Sequence, residues 1–314
     1  MRPNNFDVSI IIPVYNEQDN IRTLYEEITN YLGHEGKREL IFINDGSTDH
    51  TLGKIKALQE IDPSVHYISF SRNFGHQCAL KAGLDYCRGD VVISIDGDLQ
   101  HPPRMLPLLV EKWQEGYDVV ITIREELQST NFFKRFTSQN FYRLLGKISN
   151  LPLKPGSADF RLLDRKVVDV LKRFEEIDIF YRGFVAWSGF RQCEVPYTPE
   201  KRKYGTTKYT ASKMIRLALN GLLGFSTLPL RLVTLTGFMI SLVSFLYGFY
   251  AVCIKLFGDS AISGWASIMT GIYFLGGVQL LCIGICGEYL GRIFMQVKNR
   301  PHYIIADTSL KNVS

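Results

Sequence analysis

Two stretches of this 314-residue chain carry no charge at all: Arg231 to Lys255 and Asp259 to Glu288 hold none between them. A run such as Leu232 to Ile254 is long enough for the ~20 residues that cross a ~30 Å hydrocarbon layer. Phosphate-binding glycine signatures are also missing. No G-x-G-x-x-G follows the first apolar strand and no G-x-x-x-x-G-K-[ST] loop occurs, which excludes a dinucleotide fingerprint and a P-loop. Any phosphate has to be met by basic side chains and a metal ion. None of the six cysteines stands in C-x-x-C spacing, and Cys253, Cys282 and Cys286 fall inside the uncharged runs; a reduced, unligated, cytoplasmic state is expected. The net charge is only +5. Its basic residues gather beside the uncharged runs, which fits anionic lipid or a phosphorylated substrate and gives no reason to expect nucleic acid.

The second run is rich in glycine (Gly271, Gly276, Gly277, Gly284, Gly287), as close-packing membrane helices tolerate. Lys201, Arg202, Lys203, Lys208, Lys213, Arg216 and Arg231 precede the pair of runs; Arg292, Lys298 and Arg300 follow it. The positive-inside bias puts both flanks in the cytoplasm. Polar residues Arg2, Asn4, Asn5 and Asp7 lead into a short apolar strand with no small-residue cleavage site, so no signal peptide is expected. The expected organisation is a catalytic domain over 1–210, an amphipathic juxtamembrane segment over 211–231, spans over 232–254 and 265–287, an outer loop over 255–264, and a cytoplasmic tail over 288–314.

The first part alternates apolar runs with polar turns and helical periodicity. Val8–Ile12, Leu40–Ile43, Val65–Phe70 and Val91–Ile95 read as buried strands, and helices follow from about Ile21, Thr51 and His76. That is an α/β parallel sheet wound with helices, whose ligands bind at the strand carboxyl ends. Polar clusters stand at those ends: 13–17, 44–49, 71–75 and 96–100. The last holds Asp96 and Asp98, two apart on extended backbone and so on one side. Paired like charges are unfavourable unless relieved. A hard divalent cation, Mg²⁺ or Mn²⁺, would relieve them and keep positions for substrate phosphate, with Gln100 as a neutral oxygen ligand. His101, ahead of two prolines, reads as turn geometry. Ile121–Arg124 reads as another strand end, now bearing a cation, and Lys134 and Ser138 lie four apart on one helix face.

The order of these motifs resembles family 2 glycosyltransferases of the GT-A fold, on Ser9–Glu17, Asn44–Asp49 and the acid pair. Ser71-Arg72-Asn73-Phe74-Gly75 and Asp98-Leu99-Gln100-His101-Pro102-Pro103 look like the polyprenyl-phosphate glycosyltransferases, among them dolichyl-phosphate mannose synthase and the bactoprenol glucosyltransferases of the GtrB type. Ala158–Arg165, Tyr204–Lys208 and Gly287–Pro301 fit the GtrB type. Gly97 departs from the Ala or Val frequent there.

The resemblance implies metal-dependent, inverting transfer of a hexose from a UDP-sugar to undecaprenyl phosphate at the cytoplasmic face of a bacterial inner membrane. Glucose is the favoured sugar; N-acetylglucosamine, galactose, mannose or an amino-arabinose derivative is the alternative. It implies that Pro13, Tyr15, Glu17, Asp45 and Asp96 hold the nucleotide, and that Asp96, Asp98 and Gln100 hold the metal. Arg124, Lys134 and Ser138 would meet the acceptor phosphate, Arg161 would hold Asp159 in place or touch that phosphate as well, and Arg202 and Lys208 would sit on a flap over the diphosphate. Asp159 and Asp98 would be the catalytic carboxylates. A phosphate monoester with a second pKa of ~6 needs little deprotonation, so Asp159 is open to an orienting role as well as a basic one. A homo-oligomer, a tetramer by family likeness, is implied. A processive polysaccharide synthase would need more spans and a Q-x-x-R-W motif, and the chain has neither. A non-catalytic lipid-binding protein would have no use for Asp96, Asp98, Gln100 and Asp159 together.

Overall fold

In the computed structural model the described residues are 2, 5–32, 37–124, 156–177, 179–200, 228–257 and 264–310. Lys134, Ser138, Arg202 and Lys208, with most of the juxtamembrane segment, lie outside them. The chain divides into two compact units, Met1–Met214 with Pro301–Ser314, and Ile215–Arg300.

The first unit is built on strands β1 (Val8–Val14), β2 (Arg38–Asn44), β3 (Val65–Phe70), β4 (Val91–Ser94), β5 (Val119–Arg124), β6 (Ser157–Asp164), β7 (Gln192–Tyr197) and β8 (Ile305–Thr308). Their order in the sheet is β7-β5-β6-β4-β1-β2-β3-β8. The helices are α1 (Ile21–Tyr31), α2 (Thr51–Ile61), α3 (His76–Tyr86), α4 (Leu106–Gln114), α5 (Arg165–Lys172) and α6 (Tyr181–Trp187). Continuous apolar strands such as Ser9-Ile10-Ile11-Ile12 need cover on both faces. Ile21, Leu24 and Ile28 of α1 lie in one buried cluster with Ile10 and Ile12.

The sheet is mixed, and this is where it departs from a uniformly wound parallel one. β1, β2, β3 and β4 run parallel, as do β5 and β7, while β6 is antiparallel to both β4 and β5. β6 therefore begins at the edge where its neighbours end. Its register sets Arg161 opposite Ser94, which brings Asp159, two residues earlier, beside the acid pair. β8 pairs antiparallel with β3, so part of the stretch expected as a cytoplasmic tail returns to the sheet.

The second unit holds α7 (Leu228–Phe257) and α8 (Trp265–Val297). Each contains a candidate membrane span, Pro229–Tyr247 and Phe274–Val297, with none of it buried. Phe238, Phe245 and Leu280 are exposed; such an all-round apolar surface suits lipid. The expected first span lies within α7. The second helix runs past its expected end at 287, through Glu288 and Arg292 to Val297, because no proline or helix-ending glycine signal stops it before Asn299-Arg300-Pro301.

Candidate active site

The β1 and β2 end loops are tied together chiefly through backbone groups. Asn16, in the left-handed region at φ 53°, donates its N–H to Ser47 Oγ at 2.9 Å and accepts from Thr48 N at 2.8 Å. The Glu17 N–H donates to Thr51 Oγ1 at 3.0 Å. Pro13, Tyr15, Glu17 and Asp45 thus share one corner. Asp45 is buried, and its carboxylate accepts from the N–H groups of Phe74, at 2.7 Å, and Gly75, at 3.0 Å, just ahead of α3. Burial raises its pKa, and those two N–H bonds pull the other way. Gly46 has φ +65°, and a Cβ there would stand 2.3 Å from the Arg72 carbonyl carbon. Only glycine lets the two loops meet. Asp45 is therefore a clamp on the Ser71–Gly75 loop, whatever else it touches.

The acid pair follows β4. Between Asp98 and Gln100 the buried Leu99 is held at φ 59°, an uncommon conformation for a branched residue that marks a constrained loop. Gln100 N donates to Asp98 Oδ1 at 3.1 Å. At Gly97 a Cβ would stand 2.5 Å from Val14 Cγ1; in this chain buried Val14 occupies the room that an alanine or valine would take.

His101 corrects the reading of it as turn geometry. It is fully buried, with Nε2 2.9 Å from Asp96 Oδ2 and Nδ1 2.8 Å from Tyr197 Oη. Arg124 Nε donates to the same Tyr197 oxygen at 2.9 Å. The Asp96 carboxylate can only accept, so Nε2 carries a proton and donates to it; Arg124 Nη2 also lies 3.5 Å from this nitrogen. One relay thus joins the cation at the end of β5 to the carboxylate at the end of β4. A histidine bonded behind a carboxylate is outer-shell support of the kind metal sites use.

Asp159 stands on the other side, at the start of β6, and is buried. Arg161 Nη2 donates to its Oδ1 at 2.8 Å, Arg182 Nε to Oδ1 at 3.1 Å and Arg182 Nη2 to Oδ2 at 2.9 Å. His76 Nε2, at the start of α3, lies 3.7 Å from Asp159 Oδ2 and 3.5 Å from Asp96 Oδ1. Burial favours the protonated acid, but Arg182, His76 and Arg161 outweigh it and hold Asp159 well below the usual carboxylate range. Desolvation opposes the charge on His76, yet Asp96 and Asp159 push its pKa up to about 9. Asp96 is likewise depressed: burial opposes, while His76 and His101 favour the anion. Arg161 is buried at the base of this cluster and also donates to Ala158 O. It supports Asp159 and does not present itself to a phosphate.

The structure thus gathers Asp96, Arg124, Asp159 and Arg161 with three residues that the sequence reading missed: His76, Arg182 and Tyr197. The helix-opening position of His76, next to a resembling motif, was the one available signal; Arg182 and Tyr197 had none. Among the described residues no three His, Cys, Asp or Glu side chains form a ready-made metal cage. Two carboxylates and an amide at a strand end still fit a hard divalent ion, because Mg²⁺-type sites complete their shell with substrate phosphate and water.

Comparison with known proteins adds identity. Residues 228–293 match the GtrB C-terminal hairpin. The chain is 42% identical to the bactoprenol glucosyl transferase of Shigella phage SfII over 95% of its own length and 97% of that protein's. It is 43% identical to the uncharacterized glycosyltransferase YkcC of Bacillus subtilis (strain 168), over 95% and 92%. Among solved structures, glucosyl-3-phosphoglycerate synthase of Mycobacterium tuberculosis, in complex with Mn²⁺, UDP-glucose and phosphoglyceric acid, is 21% identical over 70% of this chain and 79% of that one, with a TM-score of 0.46. With residues 9–171 matching it, the chain belongs to glycosyl transferase family 2.

Proposed function

We propose that this glycosyltransferase moves a hexose, most simply glucose, from a UDP-sugar to a polyprenyl phosphate at the cytoplasmic face of a bacterial inner membrane. One observation supports it most. Asp96 and Asp98 stand beside an ion-paired cluster in which Asp159 aligns Arg182 and His76, with Arg124 close by. Such a site suits two phosphate-bearing partners at once: carboxylates for a metal–diphosphate, and cations for a phosphate monoester. The name of the phage relative and the apolar hairpin point to a lipid acceptor.

In this reading Pro13, Tyr15, Glu17 and Asp45 form the nucleotide corner. Asp96, Asp98 and Gln100 would hold Mg²⁺ or Mn²⁺, which supplies charge neutralisation for the departing diphosphate. An oxygen of the acceptor phosphate forms a bond to the anomeric carbon as the bond from that carbon to UDP breaks, so configuration inverts. The phosphate attacks already ionised. Asp159, saturated by cations, is therefore the organiser of Arg182 and His76 and not a base. Of the residues expected to meet the acceptor phosphate, Arg124 keeps that role, and Arg182 takes the one first given to Arg161. Lys134 and Ser138, with Arg202 and Lys208 on the flap, complete the proposal from sequence. The glycines of α8 suit close packing with further copies in a homo-oligomer.

The test is transfer of radiolabelled sugar from a panel of UDP-hexoses to undecaprenyl phosphate by the purified full chain, with and without EDTA. Transfer is expected from UDP-glucose, lost with EDTA and restored by Mg²⁺ or Mn²⁺. No transfer from any donor overturns the reading; unchanged transfer by Asp98→Ala overturns the metal assignment.

A further inference from the structure

The segment after the second long helix returns to the sheet at one specific place, the strand that launches the Ser71–Gly75 loop. β8 pairs with β3, Ile68 opposite Thr308 and Ser69 opposite Asp307, with an irregularity before Phe70 opposite Ile305. Beyond the last strand pair the contact continues into the loop itself, where the Ser71 N–H donates to Ile304 O at 3.0 Å. Tyr303 stacks on Phe70 with ring centroids 5.0 Å apart and 14° between planes. Phe70 in turn meets Phe74 edge-on at 5.7 Å. The Tyr303 hydroxyl donates to Asp85 Oδ2 at 2.8 Å, and Lys81 Nζ donates to Asp85 Oδ1 at 2.8 Å.

Tyr303 therefore grips both ends of one unit. Its ring holds the exit of β3, and its hydroxyl holds the last turn of α3. Between those two points lie Phe74 and Gly75, whose N–H groups bind Asp45, and His76, which faces Asp96 and Asp159. If strand covering were all that was needed, an edge strand would serve with any side chain at 303. Yet the aromatic stack lies at the exit of β3, just ahead of the loop, and the hydroxyl bond reaches across to the last turn of α3.

We propose that Tyr303 is a positioning residue for the donor site: through Phe70 and Asp85 it fixes the β3–α3 loop so that Asp45 stands ready for the sugar nucleotide. The proposal rests on the donor-site reading above. It makes a segment that follows the membrane hairpin in sequence a working part of the catalytic domain.

The experiment measures binding of UDP to the full chain in detergent by calorimetry, alongside transfer kinetics, thermal unfolding and hydrogen exchange at residues 71–76. Wild-type protein that does not bind UDP would sink the donor-site reading itself. Given wild-type binding, Tyr303→Ala is expected to weaken UDP about tenfold, and Tyr303→Phe about threefold, from the loss of a ring contact and of one hydroxyl bond. The donor KM should rise in step, the acceptor KM should hold, and exchange at 71–76 should quicken. Asp307→Asn loosens β8 at Lys56 and Tyr67 without touching the loop; it is expected to lower the melting temperature and leave UDP affinity within about twofold. Unchanged UDP affinity in Tyr303→Ala overturns the proposal, and so does an equal loss in Asp307→Asn. If Tyr303→Ala fails to fold, Tyr303→Phe decides the matter alone.

Discussion

The two sides of the site are held by different physics. On the β1–β3 side, neutral backbone groups do the holding: Asn16 to Thr48, Gly46 against Arg72, and the Phe74 and Gly75 N–H groups on Asp45. On the β5–β7 side, charged side chains hold one another: Arg161 and Arg182 on Asp159, and Arg124 through Tyr197 and His101 on Asp96. A backbone-built corner is rigid and reads shape, which suits a nucleotide. An ion-paired corner keeps strong charge ready for a second phosphate, at the cost of burying ions that destabilise the fold if one partner is lost. The two sides meet at Asp96 and His76.

The sharpest way to break this comparison is Asp159→Asn. It leaves buried Arg161 and half-buried Arg182 without their anion, and breaking such a pair costs about 3–5 kcal/mol. Turnover should fall at least about a hundredfold, while UDP affinity, set on the other side, stays near wild type. The pH profile separates organiser from base. A carboxylate with a depressed pKa stabilises the fold above its unfolded value of ~3.9, and loses that contribution only as pH falls through the lower folded value. The stabilisation by Asp159 is thus constant across neutral pH. Any acid limb of wild-type turnover should fall near ~6, the second pKa of the acceptor phosphate. A limb that follows a substituted acceptor of altered phosphate pKa supports the organiser; one that does not move with the acceptor assigns it to the protein.

Gly46→Ala probes the backbone side. The left-handed backbone and the 2.3 Å approach to Arg72 would cost about 2–4 kcal/mol together. Thermal unfolding should show that loss, and UDP binding should weaken while the chemistry of bound substrate survives. A variant that keeps donor affinity but loses turnover would mean the sides are not divided as described.

What the sequence disclosed follows the same division. The β1–β4 corner is local: each strand is an apolar run, each cluster follows its own strand in the chain, and the parallel rule puts their carboxyl ends together. Asp45, Asp96 and Asp98 could be found that way. Arg182 and Tyr197 arrive from α6 and β7, and nothing in their neighbourhoods is periodic or motif-like. Arg182 meets Asp159 because β6 enters the sheet antiparallel, and Tyr197 meets His101 from β7, paired parallel to β5; strand propensity encodes neither pairing. His101 was misread for a related reason: next to prolines a histidine looks like a loop residue, and only the packing of Tyr197 and Phe160 against its ring reveals that it is core. The return of β8 was hidden because its run, Ile305-Ala306-Asp307-Thr308, is short and half polar, as edge strands are.

Tyr197→Phe is the smallest and most discriminating change. It removes one oxygen and leaves the packing of the ring intact. That oxygen accepts from Arg124 Nε and bonds His101 Nδ1, so its loss unpairs a buried imidazole nitrogen and removes one of the guanidinium's bonds. An unsatisfied buried group costs about 1–3 kcal/mol, and outer-shell losses of this kind typically reduce metal affinity or activity about tenfold or more. Turnover should therefore drop about tenfold. The metal concentration for half-maximal transfer should rise, because Asp96 loses its fixed donor behind it. UDP affinity in the absence of metal should not change, since no backbone contact of the β1–β3 side is touched. If metal dependence is unaltered and the acceptor KM alone rises, the relay serves Arg124 and the acceptor and does not reach Asp96. If metal-free UDP affinity falls as well, the two sides are coupled through His76, and their separation at Asp96 has to be abandoned.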